Sequence, residues 1–143
     1  TKIYAVPGIR LGYGISSDKA LLERMETVRQ PWSVSTPAQA AGLSALKEDH
    51  REEQTRQLVK SERERMEKEL ENLRIEYIPS EANFLLFNSE INWFEELKKR
   101  GILIRDCANY RGLGNGWYRL AVRMPEENDR LLECMKQVLN ERS

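Results

Sequence analysis

Residues 1–14 read TKIYAVPGIRLGYG. A lysine stands second and an arginine tenth, eight positions apart, with Pro7-Gly8 between them. No initiator methionine precedes them, and the basic-then-apolar pattern of a signal peptide is missing. Residues 10–16, RLGYGIS, are expected to form a short strand weakened by Gly12 and Gly14. Lys2 alone carries no information, because terminal lysines are usually solvated. It gains meaning only from its spacing to Arg10 and from the glycines around that arginine.

Working outward, the 143 residues suffice for one domain with a core, or for part of a larger one. The 23 basic and 23 acidic side chains cancel. That balance argues against a nucleic-acid or anionic-membrane surface, which needs a basic excess to release counterions. Charged residues make up 32% of the chain, and no apolar run approaches the ~20 residues that span a bilayer. Cys107 and Cys134 lack the company of further cysteines or histidines that a disulfide framework or zinc site requires. Two reduced thiols in a cytoplasmic protein are expected. The single histidine, His50, lies in the charged run EDHREE and reads as a solvated helix residue.

Ser17 or Asp18 can cap a helix running to about Arg29, with Leu21, Leu22, Met25 and Val28 on one face. After the loop QPWSVST, Pro37 suits the first turn of a second helix. Its small residues, AQAAGLSAL, permit close approach by another segment. Residues 47–74 contain no proline or glycine and are mostly charged, with Glu52–Arg56 and Glu64–Lys68 spaced as i,i+4 pairs. Leu58, Val59, Met66, Leu70 and Leu73 form a narrow apolar stripe. One long helix with most of its surface in water, joining two lobes, is expected; the stripe is too interrupted for a coiled-coil seam. Beyond Tyr77 the pattern becomes β-α-β-β-α: a strand near 83–87, a helix stopping at Gly101, a strand ILIR, a strand WYRLAV and a closing helix with Pro125 in its first turn. That order builds a small sheet covered by helices on one side.

The glycine-rich segment RGLGNG, residues 111–116, runs into a strand. A dinucleotide-phosphate loop runs into a helix N-terminus, so a turn is expected here. Three arginines matter more. Arg105 ends ILIR, and Arg119 and Arg123 share one face of WYRLAVR while Leu120 and Val122 take the other. An arginine within an apolar strand is costly unless it meets an anion, and its planar fork suits a carboxylate or phosphate. A structural salt bridge to one of the 23 acids is the competing explanation.

With Thr1-Lys2 followed by Gly8-Ile9-Arg10-Leu11-Gly12-Tyr13, the opening resembles the cofactor-lysine segment of fold-type I pyridoxal-phosphate enzymes, the aspartate-aminotransferase fold. PWSVSTPAQAAG, SEANFLLF, GILIRDCANYRGL and WYRLAVRMPEEN then occur in that family's order. They are most similar to the branch of histidinol-phosphate aminotransferases and threonine-phosphate decarboxylases. PWSV and GILIRDCANYRGL lean toward the decarboxylases, which belong to cobalamin biosynthesis. The resemblance implies the C-terminal part of a longer cytoplasmic, homodimeric enzyme acting on a phosphorylated amino acid. It implies an α/β architecture: residues 1–46 as the tail of the large cofactor domain, 47–76 as a connecting helix, and 77–143 as a small α+β domain. Lys2 would form the imine with pyridoxal phosphate, and Arg10 would hold the cofactor phosphate. Arg119 would bind the substrate α-carboxylate, and Arg105 would contribute to the same anionic pocket. Arg123 receives no role. The family's phosphate loop, ring-stacking aromatic and pyridine-facing aspartate have no counterpart in these residues, so 1–143 alone is expected to bind cofactor poorly. Two other readings stay open: a general amino-acid aminotransferase, and a non-catalytic domain that mediates protein contacts.

Overall fold

The computed structural model describes Tyr4, residues 6–48 and residues 50–142. The chain divides into two units, Thr1–Thr55 and Arg56–Ser143.

In the first unit a 3-10 turn, Pro7–Ile9, is followed by α1 (Lys19–Val28) and α2 (Thr36–Ala45). Both helices start as their sequences direct. Asp18 accepts a hydrogen bond from the Leu21 N–H, and Ser35 accepts from Ala38 N–H with Pro37 in the first turn. The strand expected over residues 10–16 does not form. Arg10 ends the 3-10 turn in the left-handed region, at φ 56°, and its N–H returns to the Pro7 carbonyl. That reversal, followed by Gly12 and Gly14, leaves no extended run with a strand beside it among the described residues. The small residues of α2 do admit a neighbour. A Cβ added at Gly42 would lie 2.5 Å from Leu11 Cδ2. The face of α1 carrying Leu21, Leu22, Met25 and Val28 is exposed, Val28 to 82%. Of the described residues of this unit, Ala38 alone is buried.

The long helix α3 spans Arg51–Asn72, starting four residues later than its composition suggests because residues 46 and 47 turn. Its upper face is solvated, but its C-terminal half is not a free rod. Met66 and Leu70 are fully buried. The helix ends with Arg74 in the left-handed conformation, φ 57°, and the Ile75 N–H bonded back to the Leu70 carbonyl at 2.9 Å. This stop returns Ile75 to the same core. Glu64 meets Lys60 at 4.0 Å, and Arg63 meets Glu67 at 4.0 Å.

The second unit is a four-stranded antiparallel sheet in the order β1-β2-β4-β3: β1 Tyr77–Ile78, β2 Phe84–Asn88, β4 Trp117–Ala121 and β3 Arg105–Asp106. The two long strands pair as Leu85↔Leu120, Leu86↔Arg119 and Phe87↔Tyr118. One sheet face presents Leu85, Phe87, Tyr118 and Leu120 to Met66 and Leu70 of α3, to Trp93 and Leu97 of α4 (Trp93–Lys99), and to Leu132 and Met135 of α5 (Pro125–Asn140). Gly101 stops α4 as expected, at φ +74°, and the Ile102 N–H reaches back to the Leu97 carbonyl. That backward bond delays the next strand. ILIR is not a strand throughout: Leu103 is 74% exposed, and pairing begins only at Arg105. The segment 111–116 is the expected turn between β3 and β4. Gly116 sits at φ +86°, where a Cβ would lie 2.7 Å from the Ser89 carbonyl oxygen.

Met66→Ala is expected to destabilise the second unit by about 2–5 kcal/mol, as a cavity in a closed core does. Leu21→Ala, on the exposed face of α1, is expected to stay within about 0.5 kcal/mol. Urea unfolding followed by the fluorescence of the buried Trp93 checks Met66→Ala, and the helical circular-dichroism signal in the same titration checks Leu21→Ala.

Candidate functional site

The alternation of β4 puts Tyr118 and Leu120 into the core and turns Arg119 to the opposite face. On that face Arg105 of β3 stands directly across from Arg119. Their Cβ atoms are therefore roughly 5 Å apart, a spacing at which like charges destabilise a sheet. Neither arginine makes an ion pair among the described residues. Each is instead steadied by an aromatic ring: Arg119 lies over Phe84, 5.0 Å from guanidinium carbon to ring centre, and Arg105 lies over Tyr110 at 5.5 Å. Cation–π contact orients a guanidinium without neutralising it. The competing explanation, a salt bridge to an acid of the chain, is not what the structure contains at these two positions.

Both arginines line a cavity of about 430 Å³. Residues 101–105, the outer part of β4 and the first turns of α5 line it. Arg123 and Arg130 also line it, and among the described residues Glu127 is its one carboxylate. A cleft with this excess of one sign concentrates anions. Arg123 pairs with Glu127 at 2.8 Å. Arg130 reaches the Arg100 carbonyl at 3.5 Å.

A hydrogen-bond network unforeseen from the sequence fixes the cavity wall. Asn128, 1% exposed, accepts from the Arg123 N–H at 3.0 Å and donates to the Arg123 carbonyl at 2.9 Å. Its amide also donates to Glu62 Oε2 of α3 at 2.7 Å. Arg65 holds Glu62 through two guanidinium nitrogens and extends to Asp129 at 2.6 Å. Asn128 thus does for the end of β4 what a neighbouring strand would do, and anchors it to α3 and α5. Glu62 sits in a run of charges and Asn128 in a helix otherwise read for its apolar face. Neither shows a signal in one dimension. The Arg65 guanidinium holds the Glu62 carboxyl below the usual carboxylate range, with Asn128 adding to the effect and burial opposing it.

Cys107 is fully buried beneath these strands, and burial pushes its thiol up, while Arg119 and Arg105 pull it back. It is a core residue, poorly suited to act as a nucleophile. Both cysteines are free. Among the described residues no cluster of potential metal ligands occurs, and no helix is long and apolar enough to cross a membrane.

The structure therefore brings together Arg105 and Arg119, the two residues expected at a shared anion. Arg10 belongs to the first unit, exposed, with its Nη1 donating to the Pro7 carbonyl at 3.3 Å. Its guanidinium makes no ion pair among the described residues. The neighbouring Gly8 and Gly12 leave open space around the turn. An exposed guanidinium in such a turn fits a phosphate group. Lys2 lies outside the described residues.

Residues 1–134 match the family "Aminotransferase class I and II". The threonine-phosphate decarboxylase of Salmonella typhimurium is 40% identical over 97% of this chain, and the histidinol-phosphate aminotransferase of Symbiobacterium thermophilum is 38% identical over 99% of it. Each comparison covers 39% of the relative. The crystal structure of the histidinol-phosphate aminotransferase from Clostridium acetobutylicum superposes with a TM-score of 0.91 at 32% identity, over 99% of this chain and 44% of that one. The chain belongs to the class I and II aminotransferase family and spans about two fifths of the length of these relatives.

Glu62 contributes stability above its unfolded pKa, and that contribution is lost as the pH falls through its lowered folded value. Stability of the wild-type chain is expected to fall as the pH drops below the usual glutamate range. Glu62→Gln is expected to flatten that part of the curve and to lower stability at pH 7, as measured by urea titration at each pH.

Proposed function

We propose that this chain is the part of a pyridoxal-phosphate enzyme that binds a phosphorylated amino acid, and that the reaction is decarboxylation of threonine phosphate. The observation that carries the reading is the opposition of Arg105 and Arg119, two unpaired guanidiniums facing one cavity in a member of this family. Two such cations held side by side suit a ligand with two anionic groups. Both named relatives act on phosphorylated molecules.

Pyridoxal phosphate, when bound, supplies an electron sink for the bond broken beside the amino carbon. The residues of this chain would supply part of what positions the substrate. Arg10 would hold the cofactor phosphate, and Lys2 would supply the amine that binds the cofactor and, when free, a base or acid able to move a proton. Arg119 grips the α-carboxylate through two parallel N–H···O bonds, with its plane set by Phe84. Arg105 takes the second anionic group, with Tyr110 against its other face. Together they would orient the substituents of the amino carbon, and so would decide whether the bond to the carboxylate or the C–H bond is the one broken; in the second case Lys2 would take the proton.

The decarboxylase reading rests on the PWSV and GILIRDCANYRGL segments and on the likeness to the Salmonella enzyme. The aminotransferase reading, on histidinol phosphate, is favoured by the closeness of the Clostridium structure. The same reading makes the full-length protein a cytoplasmic homodimer.

Incubating the full-length protein with pyridoxal phosphate, reducing with borohydride and mapping peptides by mass is expected to find a pyridoxyl group on Lys2. An unmodified Lys2 overturns the reading. Release of CO2 from threonine phosphate, against amino transfer from histidinol phosphate, then separates the two reactions. Arg119→Lys keeps the charge but loses the fork, and is expected to lower kcat/KM by roughly 10–100-fold.

A further inference from the structure

We propose that Arg123 is a specificity-determining residue: a third guanidinium of the anion cavity, masked by Glu127 in the free protein and released when a phosphate monoester enters. This rests on the reading of Arg105 and Arg119 as the substrate's anion site.

Arg123 lies two residues past the end of β4 and four past Arg119, or roughly 13 Å along an extended chain. An arginine side chain reaches about half that distance, so the two guanidiniums can converge on one ligand. Arg123 and Glu127 both line the cavity that holds Arg105 and Arg119. The pair is exposed, with 64% and 46% of the side chains accessible. Exposed pairs contribute little to stability, so a competing anion can exchange with the carboxylate.

The backbone of Arg123, by contrast, is not free to move. Asn128 clamps both its N–H and its carbonyl, and Glu62 and Arg65 hold Asn128 in turn. A side chain in a weak pair on a clamped backbone can change partners without disturbing the strand. A dianion gains more from a third guanidinium than a carboxylate does, because it offers three oxygens and a second charge. Glu127 meanwhile repels any anion that cannot displace it from Arg123. The pair therefore discriminates for phosphate monoesters and against ligands carrying one carboxylate.

The arginine Nε–Hε resonances of the full-length protein, assigned by substitution, report each side chain separately. Inorganic phosphate and acetate are the probes. Phosphate is expected to move Arg123 together with Arg105 and Arg119, and acetate to move Arg119 but not Arg123. Arg123→Gln is expected to lower the ratio of phosphate to acetate affinity at least fivefold, and Glu127→Gln to raise phosphate affinity at least threefold. If phosphate moves Arg105 and Arg119 but leaves Arg123 unmoved, or moves Arg123 only in Glu127→Gln, the inference fails while the anion site stands. If neither anion moves Arg105 or Arg119, the proposed function fails and takes this inference with it.

Discussion

The register between β2 and β4 is the constraint on which the second unit rests. Leu85 faces Leu120 and Phe87 faces Tyr118, so four large side chains enter the core from one sheet face. Leu86 faces Arg119 on the other. A slip of one residue would drive Arg119 into the layer formed by Met66, Leu97 and Met135 and bring Leu120 to the surface. Burying an unpaired guanidinium among such groups is far costlier than any turn could offset. The core therefore selects the register, and the register places the arginine. β3 then adds Arg105 opposite Arg119 because pairing there begins only after the backward hydrogen bond at Ile102 is satisfied.

Charge is distributed unevenly between stable and available partners. Away from the cavity, acids and bases find each other. Glu62 is held by Arg65, Glu69 by Lys136 at 2.7 Å, and Glu96 by Lys99, Arg100 and Arg142. Among the described residues, the cavity lining holds four arginines and one carboxylate, which pairs with Arg123. A sheet that tolerates two guanidiniums directly opposite each other sacrifices local stability, and aromatic rings rather than acids hold them in place. Local frustration of that kind concentrates where a ligand supplies the missing charge.

Much of the chain was legible in one dimension. The cap at Asp18, the first-turn prolines Pro37 and Pro125, the stop at Gly101 and the alternation over WYRLA are local rules, and each operates as written. The errors share a cause. The segment 10–16 has strand composition but no strand beside it among the described residues, and ILIR has strand composition but a helix stop occupying its first N–H. Both depend on partners that composition does not specify. Likewise α3 reads as a solvated rod, since 22 residues hold few apolar side chains, yet Met66 and Leu70 are enough to seat its C-terminal half in the core.

The sequence by itself determined the family, because the Lys2–Arg10 spacing and four ordered blocks are properties of the chain's order. It also determined that Arg119 sits on the polar side of β4, because strand periodicity is local. The tertiary structure decided that Arg105 and Arg119 stand opposite each other without acids, that Glu127 covers Arg123, and that Asn128 and Glu62 secure the cavity wall. Those facts join residues up to 66 positions apart. Contacts at such separation arise when hydrophobic burial closes the core, and no local preference encodes them.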